Sequence, residues 1–223
     1  MPARPAPTPP APRAQTRHEE RANALSHGLG LLLATASLPV VIEIATRGRG
    51  NVLGAAVFCA TMTLVFFAST VYHALPQGRA KDWFNRLDHA AIFVFIAGSF
   101  TPFALDNLQG LPGQAGFAAI WLLALAGVGL KAMGRLRHPL RSTALYVVLG
   151  WLAGVAVLPV LQRMAPAGQW LLAGGGLAYT VGAVFFLLDQ RLRYGHFVWH
   201  LFVLGGCGCH FAAALLHSAG TGA

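Results

Sequence analysis

Charge is scarce in this 223-residue chain: only 10% of it is Asp, Glu, Lys or Arg, against about 25% in an ordinary soluble domain. Too few charged groups are present to cover a water-facing surface, which excludes a soluble globular fold. Acidic residues are the scarcest, 7 against 16 Lys and Arg. Cysteine is nearly absent. Cys59, Cys207 and Cys209 all lie in apolar runs, their number is odd and no CxxC occurs, which excludes a disulfide framework and a thiolate zinc site. No basic face with interleaved aromatics accompanies the net charge of +9, so nucleic acid is set aside as a partner. There is no clear internal repeat, and the loops are too short for a second domain.

What the chain has instead is 56% hydrophobic residues. A membrane span takes about 20 mostly apolar residues, and seven candidates run approximately over 23–45, 52–75, 84–106, 114–134, 142–162, 168–188 and 196–218. The expectation is an all-α integral membrane bundle of seven transmembrane helices. Polar and turn clusters punctuate it, among them Arg47–Asn51, Arg135–Pro139 and Asp189–Arg191. The break at Ala165–Gly168 is short, which makes the split between the fifth and sixth spans the weakest. Residues 1–18 are rich in Pro and Ala and read as a disordered tail; residues 19–223 form the membrane domain. The first apolar stretch is long and no cleavage-site pattern ends a short apolar core, so it reads as a retained span and not as a signal peptide. Thirteen of the 16 Lys and Arg fall in the tail and in the second, fourth and sixth connections. That asymmetry places the N terminus in the cytoplasm and the C terminus outside.

Histidine is where chemistry concentrates. His196-Phe-Val-Trp-His200 opens the last span and puts two imidazoles on one helix face. Imidazoles are costly inside a membrane unless paired, hydrated or bound. With the expected topology, His73 near the end of the second span and Asp88 about one turn into the third fall at the same cytoplasmic depth. Three neutral imidazoles suit zinc and leave a fourth tetrahedral position open. Water at that position can ionise near neutral pH, with Asp88 as general base. Ser69, one turn before His73, would orient a ligand or stabilise an oxyanion. The alternative is a hydrogen-bonded polar cluster that only stabilises the bundle.

Other polar residues carry weaker expectations. Asn23 and His27 share a face near the same depth and read either as partners of the site or as capping and interfacial residues. His89 points about 100° from Asp88 and is set aside as a ligand. His210 is roughly 15 Å along the helix from His200 and reads as a buried hydrogen-bonding residue. His217 is expected at the interface and His138 in a basic loop. Asp106 and Asp189 are expected to be solvated at helix ends, and Glu43 is expected to pair with Arg47. The glycines of the last two spans, Gly174–Gly176, Gly182, Gly205, Gly206 and Gly208, read as helix packing. Pro102 is expected to bend or end the third span, and Trp83 to anchor an interface.

Four motifs together resemble the hemolysin III group of the progestin and adipoQ receptor family. They are Glu20-Arg-Ala-Asn23-Ala-Leu-Ser-His27, Ser69-Thr-Val-Tyr-His73, Leu87-Asp88-His89-Ala-Ala-Ile92 with Ala97–Pro102, and His196-Phe-Val-Trp-His200-Leu-Phe-Val-Leu. The resemblance covers nearly all of residues 19–218. It implies seven helices with a cytoplasmic N terminus, zinc held by His73, His196 and His200, Asp88 contacting the metal-bound water, and Ser69 matching the family's serine. It also implies kinship with alkaline ceramidases, which hydrolyse lipid amides. The expectation is therefore a multi-pass protein of a bacterial cytoplasmic membrane that acts on membrane lipids, as a zinc-dependent hydrolase of amide or ester bonds. A pore-forming cytolysin, or a receptor or membrane-state sensor with structural zinc, are the alternatives. Oligomeric state is not legible.

Overall fold

The computed structural model describes residues 13–48, 50–106, 108 and 110–219. They form seven helices: α1 (Arg17–Arg47), α2 (Val52–Ala74), α3 (Arg79–Leu105), α4 (Gly110–Ala132), α5 (Pro139–Leu161), α6 (Pro166–Leu187) and α7 (Gly195–Ser218). All seven are long and apolar enough to cross a membrane, and no strand occurs among the described residues. The expected seven-span all-α architecture is the one observed. The tail expected over 1–18 lies outside the described residues as far as residue 12.

Helix starts differ from expectation where polar residues turn out to be helical. α1 opens at Arg17, inside the expected tail, because Thr16 caps it. The Thr16 hydroxyl accepts the Glu19 N–H at 3.3 Å and the Glu19 carboxylate accepts the Thr16 N–H at 2.9 Å. α3 starts at Arg79, five residues early. Its basic first turn is anchored, not looped: Lys81 is buried and donates to the Tyr72 and Leu75 carbonyls at the end of α2, at 2.9 and 3.2 Å. α3 also runs past Pro102 to Leu105, so that proline does not end it. The weak fifth-to-sixth split is real. Gln169 reaches back from α6 to donate to the Leu161 and Met164 carbonyls at 2.9 and 3.0 Å, closing the end of α5.

Each helix packs on its neighbour in the chain, and α7 closes the ring against α1. α3 runs through the interior, touching α2, α4, α5 and α7, and is the most enclosed of the seven. Apolar side chains such as Leu32, Leu122 and Trp170 remain exposed on the outside, as a lipid-facing surface requires. The interior divides into two apolar clusters. One joins α1, α2, α3 and α7 around Phe58, Phe66 and Phe95. The other joins α3, α4, α5 and α7 around Phe93, Phe100 and Tyr146.

Glycines set how closely the helices approach. A Cβ at Gly98 of α3 would sit 2.0 Å from Thr61 Oγ1 of α2, whereas one at Gly205 would meet nothing within 4 Å. Gly98→Ala is therefore expected to cost about 1–3 kcal/mol, the usual range for overpacking, and Gly205→Ala to be near neutral. Thermal unfolding of the two detergent-solubilised variants checks this, and equal midpoints would refute it. The glycines of α6 and α7 are only half explained by packing. Gly175, Gly182 and Gly206 face His210, Trp199 and Tyr179, but Gly174, Gly176 and Gly208 face open space.

Candidate metal centre

The helix ends near the second, fourth and sixth connections gather the polar side chains. His73 lies in the last turn of α2, and His196 and His200 occupy the first two turns of α7. One ring nitrogen from each of the three can be chosen so that all lie within 4.8 Å of one another. Ring centroids are 5.0 Å apart for His73–His196 and His73–His200, and 4.8 Å for His196–His200. The triad expected from the sequence is assembled, from two helices that are far apart in the chain.

Each ring is held by its Nδ1. His73 donates to the Glu20 carboxylate at 2.7 Å, and His196 donates to the Asp189 carboxylate at 2.9 Å. His200 shares its Nδ1–H between the Asn23 carbonyl at 3.2 Å and the Ser26 hydroxyl at 3.1 Å. The opposite nitrogens are thereby left as acceptors. His73 Nε2 is buried without a hydrogen-bond partner, a state that is costly unless something binds it. Metal-ligating histidines are typically oriented in this way by a carboxylate or carbonyl on the other nitrogen. The donor set thus fits a cation that prefers imidazole.

Beside the rings is a cavity of about 30 Å³ lined by His27, Ser69, Asp88, His89, His196 and His200, among others. Its volume suffices for a single water or ion. Asp88 and Ser69 are both buried. His27 Nδ1 and Ser69 Oγ share a hydrogen bond of 2.7 Å, and the His27 ring lies flat on that of His200, with centroids 3.4 Å apart and planes 4° from parallel. Of the two readings of Asn23 and His27, the structure selects partnership with the site; the helix cap is Thr16.

Two expectations about carboxylates are corrected. Asp189 is not merely solvated but anchors His196, because the turn after α6 folds back over the first turn of α7. Asp106 instead receives a 2.6 Å hydrogen bond from His217, tying the end of α3 to the end of α7. His210 is half-buried and donates to the Leu172 carbonyl at 3.3 Å, a hydrogen-bonding residue as expected, and Glu43 pairs with Arg47. His89 stays outside the triad; its Nδ1 donates to the Asn85 carbonyl at 2.7 Å, although its side chain does line the small cavity. Glu20 had no assigned role. Residue type alone does not single it out, because Glu19 adjoins it and Asp88 shares its depth.

The family model for haemolysin-III-related proteins matches residues 15–211. This chain belongs to that family. The haemolysin-III-related protein is 38% identical over 201 residues to "Hemolysin-3" of Bacillus cereus, covering 89% of this chain and 91% of the relative. It is 37% identical over 204 residues to "Hemolysin-3 homolog" of Bacillus subtilis strain 168, covering 91% and 95%. It is also 29% identical over 156 residues to the human "Monocyte to macrophage differentiation factor", covering 67% and 63%. With seven apolar helices, it is a multi-pass integral membrane protein.

A second, larger cavity of about 340 Å³ lies between α3, α5, α6 and α7 of this haemolysin-III-related protein. Its wall is overwhelmingly apolar, and Val65, Ile92, Phe186, Trp199 and Val203 line both cavities. The small polar chamber and the large greasy one therefore share a partition.

The carboxylate anchors have a measurable consequence. Asp189→Asn keeps the size of the side chain but removes its charge. Metal affinity, measured by competition with a chelator, is expected to fall about 10–100-fold, the usual cost of losing such a partner. Unchanged affinity would show that Asp189 does not tune His196.

Proposed function

We propose that this membrane protein is a zinc-dependent hydrolase of lipid amide or ester bonds, seated in a bacterial cytoplasmic membrane with its N terminus inside and its C terminus outside. The observation that carries the reading is the anchored histidine triad set against an apolar cavity. Three Nδ1-tethered imidazoles, one with a stranded buried Nε2, stand together, and two of them, His196 and His200, line a small cavity that shares apolar wall residues with an acyl-sized chamber. His73, His196 and His200 would hold the metal. When bound, zinc supplies a Lewis acid and lowers the pKa of water at its open position.

The chain's own residues supply the rest. Asp88, facing the small cavity, accepts the proton of the attacking water and returns it to the departing nitrogen or oxygen. Ser69, held by His27, directs its hydroxyl to the carbonyl oxygen as charge develops there. The large cavity takes the acyl chain, and its volume lies in the range of small-molecule sites. The Bacillus cereus relative's name speaks of haemolysis, and a lytic pore is the competing reading. An apolar wall suits an acyl chain better than a file of water.

The test is to reconstitute the zinc-loaded protein in vesicles containing long-chain N-acyl amides and acyl esters, and to follow free fatty acid by mass spectrometry. Release that stops on chelation supports hydrolysis. Dye leakage with no fatty acid product would favour the pore.

A further inference from the structure

We propose that Arg13 and Glu19 form a strap that positions His196 for metal binding by clamping the turn between α6 and α7. That turn, Leu188–Tyr194, carries Asp189 at one end and leads into His196 at the other. Within itself it is held by backbone hydrogen bonds from Arg191 and Leu192 to the Leu188 carbonyl at 2.8 and 2.9 Å and from Gly195 to the Leu192 carbonyl at 3.0 Å. Tyr194 caps α7 without any side-chain hydrogen bond and is the one non-glycine residue of positive φ (59°) among the described residues. Such a conformation persists only where its surroundings enforce it.

The enforcement comes from the start of the bundle. Glu19, 2% exposed, accepts the Tyr194 N–H at 2.9 Å and so caps α7 from another helix. Its two oxygens also accept both Arg13 Nη groups at 2.8 Å. Arg13 Nη2 in turn donates to the Asp189 and Leu192 carbonyls at 3.3 Å each. The guanidinium grips two carbonyls of the turn and the carboxylate grips the amide of the residue that caps α7. Asp189 and His196 are thereby held in one geometry, although neither touches Glu19. Both strap residues are positioning residues.

The inference about metal rests on the proposed zinc site, so the experiment reads two quantities. Arg13→Ala removes a partly exposed side chain and leaves the core intact; Glu19→Gln is the second variant; and Arg47→Ala, which breaks the exposed Glu43 pair at the other end of α1, is the control. In the full-length protein, hydrogen–deuterium exchange over residues 188–199 is compared with the rate of zinc release into excess chelator. Arg13→Ala and Glu19→Gln are expected to raise exchange in that segment and to speed release about tenfold, at the low end for losing a residue that supports a ligand; Arg47→Ala changes neither. Unchanged exchange overturns the strap. Faster exchange with zinc release within twofold of wild type reduces the strap to a structural brace and overturns the positioning role. Wild-type protein that takes up no zinc even after its addition overturns the metal reading, while the exchange comparison still decides whether the strap exists.

Discussion

His200→Ala is expected to strip the protein of metal. Elemental mass spectrometry of the detergent-purified wild type should give about one zinc per chain and the variant less than about a tenth, as for removal of one of three protein ligands. His200 is 1% exposed, and its Nδ1 is engaged by Asn23 and Ser26, so the ring presents only its other nitrogen to the site. The variant also separates a ligand from a merely structural histidine. A ligand that binds only the folded state at a hundred times its dissociation constant adds about 2.7 kcal/mol of stability. Added zinc should raise the unfolding midpoint of the wild type and leave that of His200→Ala unmoved. Full zinc content in the variant would sink the triad. Wild-type protein that is folded yet cannot be loaded would mean that the histidines form a polar cluster only.

Asp88→Asn is expected to keep its zinc and lose its turnover. Asp88 lines the cavity but stands outside the three-histidine group, so the substitution should leave metal content near one. Removing a general base usually costs 10²–10⁴-fold; kcat for fatty acid release from a long-chain amide or ester is expected to fall within that range, with KM little changed. Full turnover in Asp88→Asn would exclude its role as the base. Loss of zinc together with activity would make Asp88 a ligand and return the mechanism to a different residue.

Much of this was legible from residue type and spacing. Seven spans follow from apolar run length, and the triad follows from the four-residue spacing of His196 and His200 together with the depth of His73. The anchors were not legible. Glu20 sits fifty-three residues from its partner His73 in the chain. Asp189 reads from sequence as an ordinary charged residue after a helix, since nothing local announces that the turn folds back on α7. Helix starts were missed for a related reason. Charged residues at the head of α3 look like a loop until Lys81 is seen to be buried against the carbonyls that end α2.

The ring of helices is closed by α7 packing on α1, and this has a bearing on biogenesis. The site draws Glu20, Asn23 and Ser26 from the first helix of the bundle to be synthesised and His196 and His200 from the last. Until α7 inserts, His73 has its carboxylate anchor but no fellow ligands. A chain interrupted before that point lacks two of the three grouped histidines. Metal bound at the proposed site would therefore report that α7 has inserted and docked against α1.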